Sequence, residues 1–591
     1  MPEKELNYIR SHDAAESDEK NGGIYIDAFD AQESKPELKG WSKFVDGFKK
    51  ADAEELGIDP NLSEEEKIAI MTANSPLSRS LKNRHIQMIA IGGSIGTGLF
   101  VGSGSKLNTG GAGGLMIAYI IISTMIYCTV HSLGELAVTF PVSGAFVTYN
   151  SRFIDPSWGF AMAWNYAMQW LVVLPLELVA AAMTIKYWNE SINSAAFVAI
   201  FYVLIVAINF FGVRGYGEAE FVFSAIKVLA VCGFIILGIV LICGGGPVGG
   251  YLGGHYWHTS QYEPDPPSGH FAFPNGAKGV VTVFVGAAFA FAGTELAGLA
   301  AAETSLPKAC KQVFWRIALF YIISLTLITC LVPWNEPRLL SDGAAASASP
   351  FVIAITNGGI SGLPSVMNVV IMIAVLSVGN SSVFGSSRTL AALAASGQAP
   401  KIFGYIDKQG RPLFGIIFQL IIGLLCFLAA SPKQNTVFNW LLALSGLSSI
   451  FTWGSICFCL IRFRRALRLK GRDTGELQYA SQCGIIGAYW GVIVNAVVIC
   501  LQFWIAVWPI GTKPNANDFF QNFLTVPVVL VFYVGHKSWT KNWKFYIRAK
   551  DIDIDTGRRD LDLDLVKQEV AEEKAYYASL PFYRRIYHFF C

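Results

Sequence analysis

The sequence predicts an all-α integral membrane protein of about twelve transmembrane helices, ten of them in two five-helix halves of an inverted repeat, with helices one and six broken. Three observations carry this. Of 591 residues, 53% are hydrophobic and 15% charged, and mean hydropathy is +0.43, outside the range of soluble globular chains. The apolar residues gather into about twelve segments, each near the ~20 residues a helix needs to cross the hydrocarbon. Two of these segments are interrupted by glycine and polar residues at corresponding places.

The chain opens with a polar tail, residues 1–80, rich in Asp, Glu, Lys, Ser and Gly and without an apolar leader, which reads as disordered. Lys4, Lys20, Lys35, Lys39 and Lys43 are either plain solvated charges or sites for ubiquitin ligase machinery. The membrane domain, 81–540, holds segments one to twelve at about 86–105, 114–139, 158–188, 195–212, 218–243, 279–302, 313–333, 364–396, 413–430, 436–461, 486–508 and 519–535. A second tail, 541–591, begins with alternating Asp and Ile at 551–555 and ends in aromatic and basic residues before Cys591. Such an end suits a membrane surface with its lipids, and Cys591 is a candidate for acylation.

An even number of spans leaves both tails on one side. Basic residues cluster in the loops of that side (Arg152, Arg214, Lys308, Lys311, Arg316, Lys401, Lys408, Arg411 and the run 462–472). They are sparse in the others (Lys106, Lys186, Lys278, Arg338, Lys433, Lys513), so both termini are expected to be cytoplasmic. A net charge of +2 gives no reason to expect a nucleic acid partner. The eleven cysteines show no paired ligand spacing, and His255, His258 and His270 have no helical spacing or carboxylate to join them, so no metal site is expected. Nucleophile motifs, phosphate loops and pore loops are likewise not apparent, which argues against an enzyme or a channel.

Segment one, from Ile89 to Gly104, carries so many glycines that a continuous helix would be weakened by roughly 1 kcal/mol at each. Either the helix unwinds to grip a solute with its backbone, or the small residues serve close helix packing. Segment six repeats the pattern in Phe289–Gly298. An unwound segment one would offer the N–H groups of Ile95, Gly96, Thr97 and Gly98 to a carboxylate, and carbonyls around Phe289, Ala290 and Ala292 would accept from an ammonium. Ionisable residues inside spans are costly and so informative: Glu135, Glu177, Lys227 and Glu295 stand out. Glu135 reads as loop-paired, Glu177 and Glu295 as either cavity or structural carboxyls, and Lys227 as either functional or snorkelling.

Gly92-Gly93-Ser94-Ile95-Gly96-Thr97-Gly98, Trp170-Leu171-Val172-Val173-Leu174-Pro175-Leu176-Glu177, Phe291-Ala292-Gly293-Thr294-Glu295-Leu296, Phe438-Asn439-Trp440 and the terminal Phe590-Cys591 together resemble fungal amino acid permeases of the amino acid-polyamine-organocation superfamily. The likeness runs from about residue 75 to the end and is strongest to the general, broad-range members. It implies a plasma-membrane importer of amino acids that uses protons as coupling ion and needs no cofactor. A receptor that senses amino acids, or a permease for one amino acid class, is the competing reading. By the same resemblance Gln169 and Glu177 line the substrate cavity, Phe289 covers the solute, and Glu295 couples substrate to gating. Lys227 would take the place of a coupling sodium ion, with Glu177 and Glu295 as further proton-coupling residues that pass or balance the proton, and Ser445 would border the substrate side chain. One departure stands out: Ala302–Lys308 is shorter than the family's inner loop and lacks its basic pair.

Overall fold

The computed structural model describes residues 45–50, 95–140, 145–189, 193–210, 213–262, 265–295, 306–340, 349–430, 434–477, 479–556 and 558, with a few positions between 572 and 582. The tail lysines, Gly92 to Ser94, the loop 296–305 and Cys591 lie outside the described residues. The chain divides into Met1–Gly47 and Phe48–Cys591, and every helix discussed below belongs to the second unit.

Among the described residues the protein is helical, apart from two isolated bridges, Lys50 with Asp407 and Ile406 with Pro412. Six helices are long and apolar enough to cross a membrane, a seventh if the bent pair Ala516–Phe523 and Thr525–Thr540 is one span, and four shorter apolar helices accompany them. Every predicted segment is represented, because the first long helix holds two. Gly111 turns the chain inside Ser103–Thr139 with φ 70° and ψ 179°, a conformation open to glycine. The sequence places a loop between segments one and two; instead the helix runs to this kink, and Lys106 is helical.

Segment three, Pro156–Ile185, shows how local sequence sets the frame. Asp155 caps it by accepting from Ser157 N (3.0 Å) and Trp158 N (3.1 Å), and Pro156 occupies the first turn. Pro175 then withholds the N–H that would have bonded the Leu171 carbonyl. Gln419, in segment nine (Leu413–Gly423), donates Nε2 to that carbonyl at 3.1 Å, so the break in the ladder is filled from a neighbour.

Segment eight, Leu363–Ala395, lies against segment three through glycines. A Cβ on Gly379 would stand 3.3 Å from Glu177 Cβ, and one on Gly385 3.1 Å from the Trp170 ring. Small residues let apolar helices approach where no hydrophobic drive exists between them. Segment five, Val213–Ile242, turns Leu229 and Ile236 outward and keeps Lys227 wholly buried. Segment ten, Gln434–Leu469, continues past its predicted end at 461. This extension brings Arg464 to Glu135 as a two-toothed ion pair, 2.8 and 2.6 Å, with Ser481 N donating to the same carboxylate at 2.6 Å.

The C-terminal stretch packs on the same end of the bundle. Ile552 and Ile554 are buried while the alternating aspartates face outward. Ile547 N bonds Ile154 O (2.9 Å), Arg152 reaches Thr556 O (2.8 Å), and Arg472 pairs with Asp555.

Candidate binding site between the broken helices

The described part of segment one opens with a bend at Ile95 and Gly96. A π turn, Gly98–Gly102, follows Thr97 before α geometry returns at Ser103. Gly96 O accepts from both Leu99 N and Phe100 N at 3.1 Å. First-turn N–H groups of such a start have no acceptor in their own helix, and π turns concentrate at functional sites. Segment six, Gly276–Phe291, stops where Ala292 turns extended (ψ 139°) and Gly293 adopts φ 98°. The two breaks touch: a Cβ on Gly98 would lie 2.7 Å from Ala290 Cβ and 3.0 Å from Ala290 N.

Where the breaks meet segments three and eight there is a narrow cavity of about 20 Å³, room for a water. Its lining is Gly96, Thr97, Gly98, Gln169, Trp170, Val173, Glu177, Phe289, Ala290, Ala292 and Val378. Thr97 Oγ1 donates to Glu177 Oε2, locking segment one to segment three. Glu177 Oε1, both amide atoms of Gln169 and Trp170 Nε1 are buried with no hydrogen-bond partner among the described residues. Buried polar atoms are normally satisfied, so four such atoms around one cavity mark a place built for a polar guest.

Seven residues predicted for substrate (Gly96, Thr97, Gly98, Gln169, Phe289, Ala290 and Ala292) therefore line one cavity, and Glu177 joins them. Three do not. Ile95 is buried in the apolar core, and Ser445 is buried beside Gly446, whose Cβ would press on Val285 O at 2.8 Å. Glu295 folds back on its own turn, accepting from Gly293 N (3.1 Å) and Trp453 Nε1 (3.4 Å). The carbonyls expected to meet an ammonium are partly engaged: Ala290 O accepts from Tyr321 OH at 2.7 Å, and Phe289 O from Ala292 N at 3.1 Å. Trp170, Val173 and Val378 were not foreseen, although Val173 lies four residues beyond Gln169, on the same helix face.

Lys227 stands apart from the cavity. Its Nζ donates to Ser377 Oγ at 2.7 Å, and Ser377 Oγ donates to Glu220 Oε1 at 2.5 Å. Glu177 and Glu220 are the carboxylates whose charge reaches it. Glu220 is fully buried and was missed by the sequence reading. Its signal was the seven-residue spacing to Lys227, two helical turns on one face.

The family described as amino acid permease matches residues 85–548, most of the chain. The chain belongs to the amino acid permease family. General amino-acid permease GAP2 of Candida albicans is 79% identical over the whole of both chains. General amino-acid permease GAP1 of Saccharomyces cerevisiae is 56% identical over 93% of this permease and 92% of its own length. A histidine permease of the same yeast is 49% identical over 88% of this permease and 86% of itself. These relatives are named as permeases and not as enzymes, and the match places this permease among multi-span membrane proteins.

Proposed function

We propose that this permease imports amino acids of broad range across the plasma membrane by proton symport, with both tails cytoplasmic. The observation that carries the reading is the cavity between the two helix breaks, with backbone at one wall and the unpartnered Gln169 amide, Trp170 indole and Glu177 Oε1 at another. The N–H groups at Gly96, Thr97 and Gly98 would take the carboxylate every amino acid has. The carbonyl side of the segment six break would take the ammonium, and Phe289 would cover both. Gln169 carries a donor and an acceptor, so it can face an acidic, basic or neutral side chain without an unpaired charge. The names of the two general permeases support breadth. The bonded Lys227 in an apolar span supports a coupling proton, whose uptake and release would accompany each cycle.

The test is uptake of radiolabelled leucine, glutamate and lysine into proteoliposomes of the full chain, with and without an imposed pH gradient. Accumulation of all three, each inhibited by the others and dependent on the gradient, is the expected result. Inhibition within a single side-chain class would replace the reading with a specific permease. Binding with no uptake would replace it with a receptor.

A further inference from the structure

Among its described residues segment five carries two buried charged side chains, Glu220 and Lys227, on one face, joined by a hydroxyl from segment eight. From this geometry we infer that Ser377 and Glu220 form the route by which the coupling proton leaves Lys227 for the side of the membrane where segment five begins. The inference rests on the proton symport proposed above and names the residues that discharge the proton.

Direction and distance both support the route. Lys227 Nζ donates to Ser377 Oγ (2.7 Å), and Ser377 Oγ donates to Glu220 Oε1 (2.5 Å), so the donors already point one way along the chain. All three residues are fully buried. The two contacts together span at most about 5 Å from Lys227 Nζ to Glu220 Oε1, and because Glu220 lies seven residues, two helical turns, before Lys227, that step runs toward the start of the span. Glu220 is the eighth residue of Val213–Ile242. The neighbouring end of segment four is tied to the loop between segments eight and nine, where Arg411 donates to Phe210 O (2.6 Å) and pairs with Asp407 (2.7 Å). Glu220 stands two residues inside the exposed Glu218, at the end of segment five nearest that side.

The transfer balances. Lys227 gives a proton to Ser377 Oγ while the Ser377 hydroxyl proton passes to Glu220 Oε1, leaving a neutral amine, an unchanged hydroxyl and a neutral carboxyl. Glu220 then loses its proton to water. The groups that face this relay are Glu177 from segment three, on the far side of Lys227, and Ser377, Asn380 and Ser381 from segment eight. Glu177, bonded to Thr97 at the cavity, lies on the solute side of the lysine and Glu220 on the exit side.

The experiment compares counterflow, which needs no net proton movement, with accumulation driven by a pH gradient, both in proteoliposomes of the full chain with radiolabelled leucine. E220Q keeps shape and removes the proton acceptor. It is expected to slow gradient-driven accumulation by about a hundredfold, within the range a positioned proton-transfer group supplies, while counterflow continues. S377A is expected to do the same and S377T to restore the rate, which guards against a fold defect in any one variant. E220Q and S377A that accumulate leucine like the wild type overturn the relay alone. A wild type that ignores the pH gradient overturns the symport reading and the relay with it.

Discussion

Gly98 is the most sensitive point of contact between the two broken helices. Any side chain there begins with a Cβ 2.7 Å from Ala290 Cβ and 3.0 Å from Ala290 N, and the backbone of segment six cannot swing aside as a flexible side chain would. Overpacking of this kind costs about 1–3 kcal/mol, which corresponds to a loss of about 5- to 150-fold in an equilibrium constant. G98A is expected to fall within that range. G98V adds two further methyl groups beside a cavity of about 20 Å³ and should abolish binding. Equilibrium binding of a radiolabelled neutral amino acid to purified protein measures the loss, and thermal unfolding of the same samples shows whether the bundle has formed. A folded G98V with affinity within about twofold of the wild type, less than a single hydrogen bond contributes, would refute the assignment of this contact to the site.

Q169A should raise the KM for uptake about fivefold, the value of one hydrogen bond near 1 kcal/mol; an unchanged KM would mean that the Gln169 amide faces no substrate. K227M keeps length and removes charge, so counterflow should persist while pH-driven accumulation disappears. Full accumulation by K227M would move the proton to a carboxyl, with Glu177 the first to examine. E135Q strips one partner from the buried pair with Arg464, at a cost of about 3 kcal/mol, and a thermal midpoint equal to the wild type's would contradict that pair. Burial alone would raise the Glu336 carboxyl, but hydrogen bonds from Arg338 and Tyr262 outweigh it and hold the group below its ordinary value. Its stabilisation is therefore complete above the unfolded carboxyl's pKa of about 4.3 and is lost as pH falls through the lower folded value. E336Q should flatten the acid limb of stability against pH, and a limb unaltered by the substitution excludes Glu336 as its source.

The helix breaks were legible because glycine is conspicuous in an apolar span, and Gln169 and Glu177 because polar side chains are costly there. Trp170, Val173 and Val378 were not, since an apolar or aromatic residue in a span reads alike whether it faces lipid, core or cavity. Ser445 shows the converse: a small polar residue in a span fits a cavity wall and a helix interior equally well, and here it is buried outside the cavity lining. Glu220 was hidden by its place, two residues from exposed Glu218 at the edge of the predicted segment. Only the tertiary arrival of Ser377 shows that one of these carboxyls turns inward. The Gly111 kink was read as a loop because a short polar stretch and a tight turn have similar composition.

The small volume between the breaks bears on kinetics. A space of about 20 Å³ holds a water but no amino acid, so a solute can seat only after the walls part. Association is then gated by the protein and not by encounter. With rising solute concentration the observed rate should level off at the opening rate, and solutes as different as glycine and tryptophan should approach one ceiling.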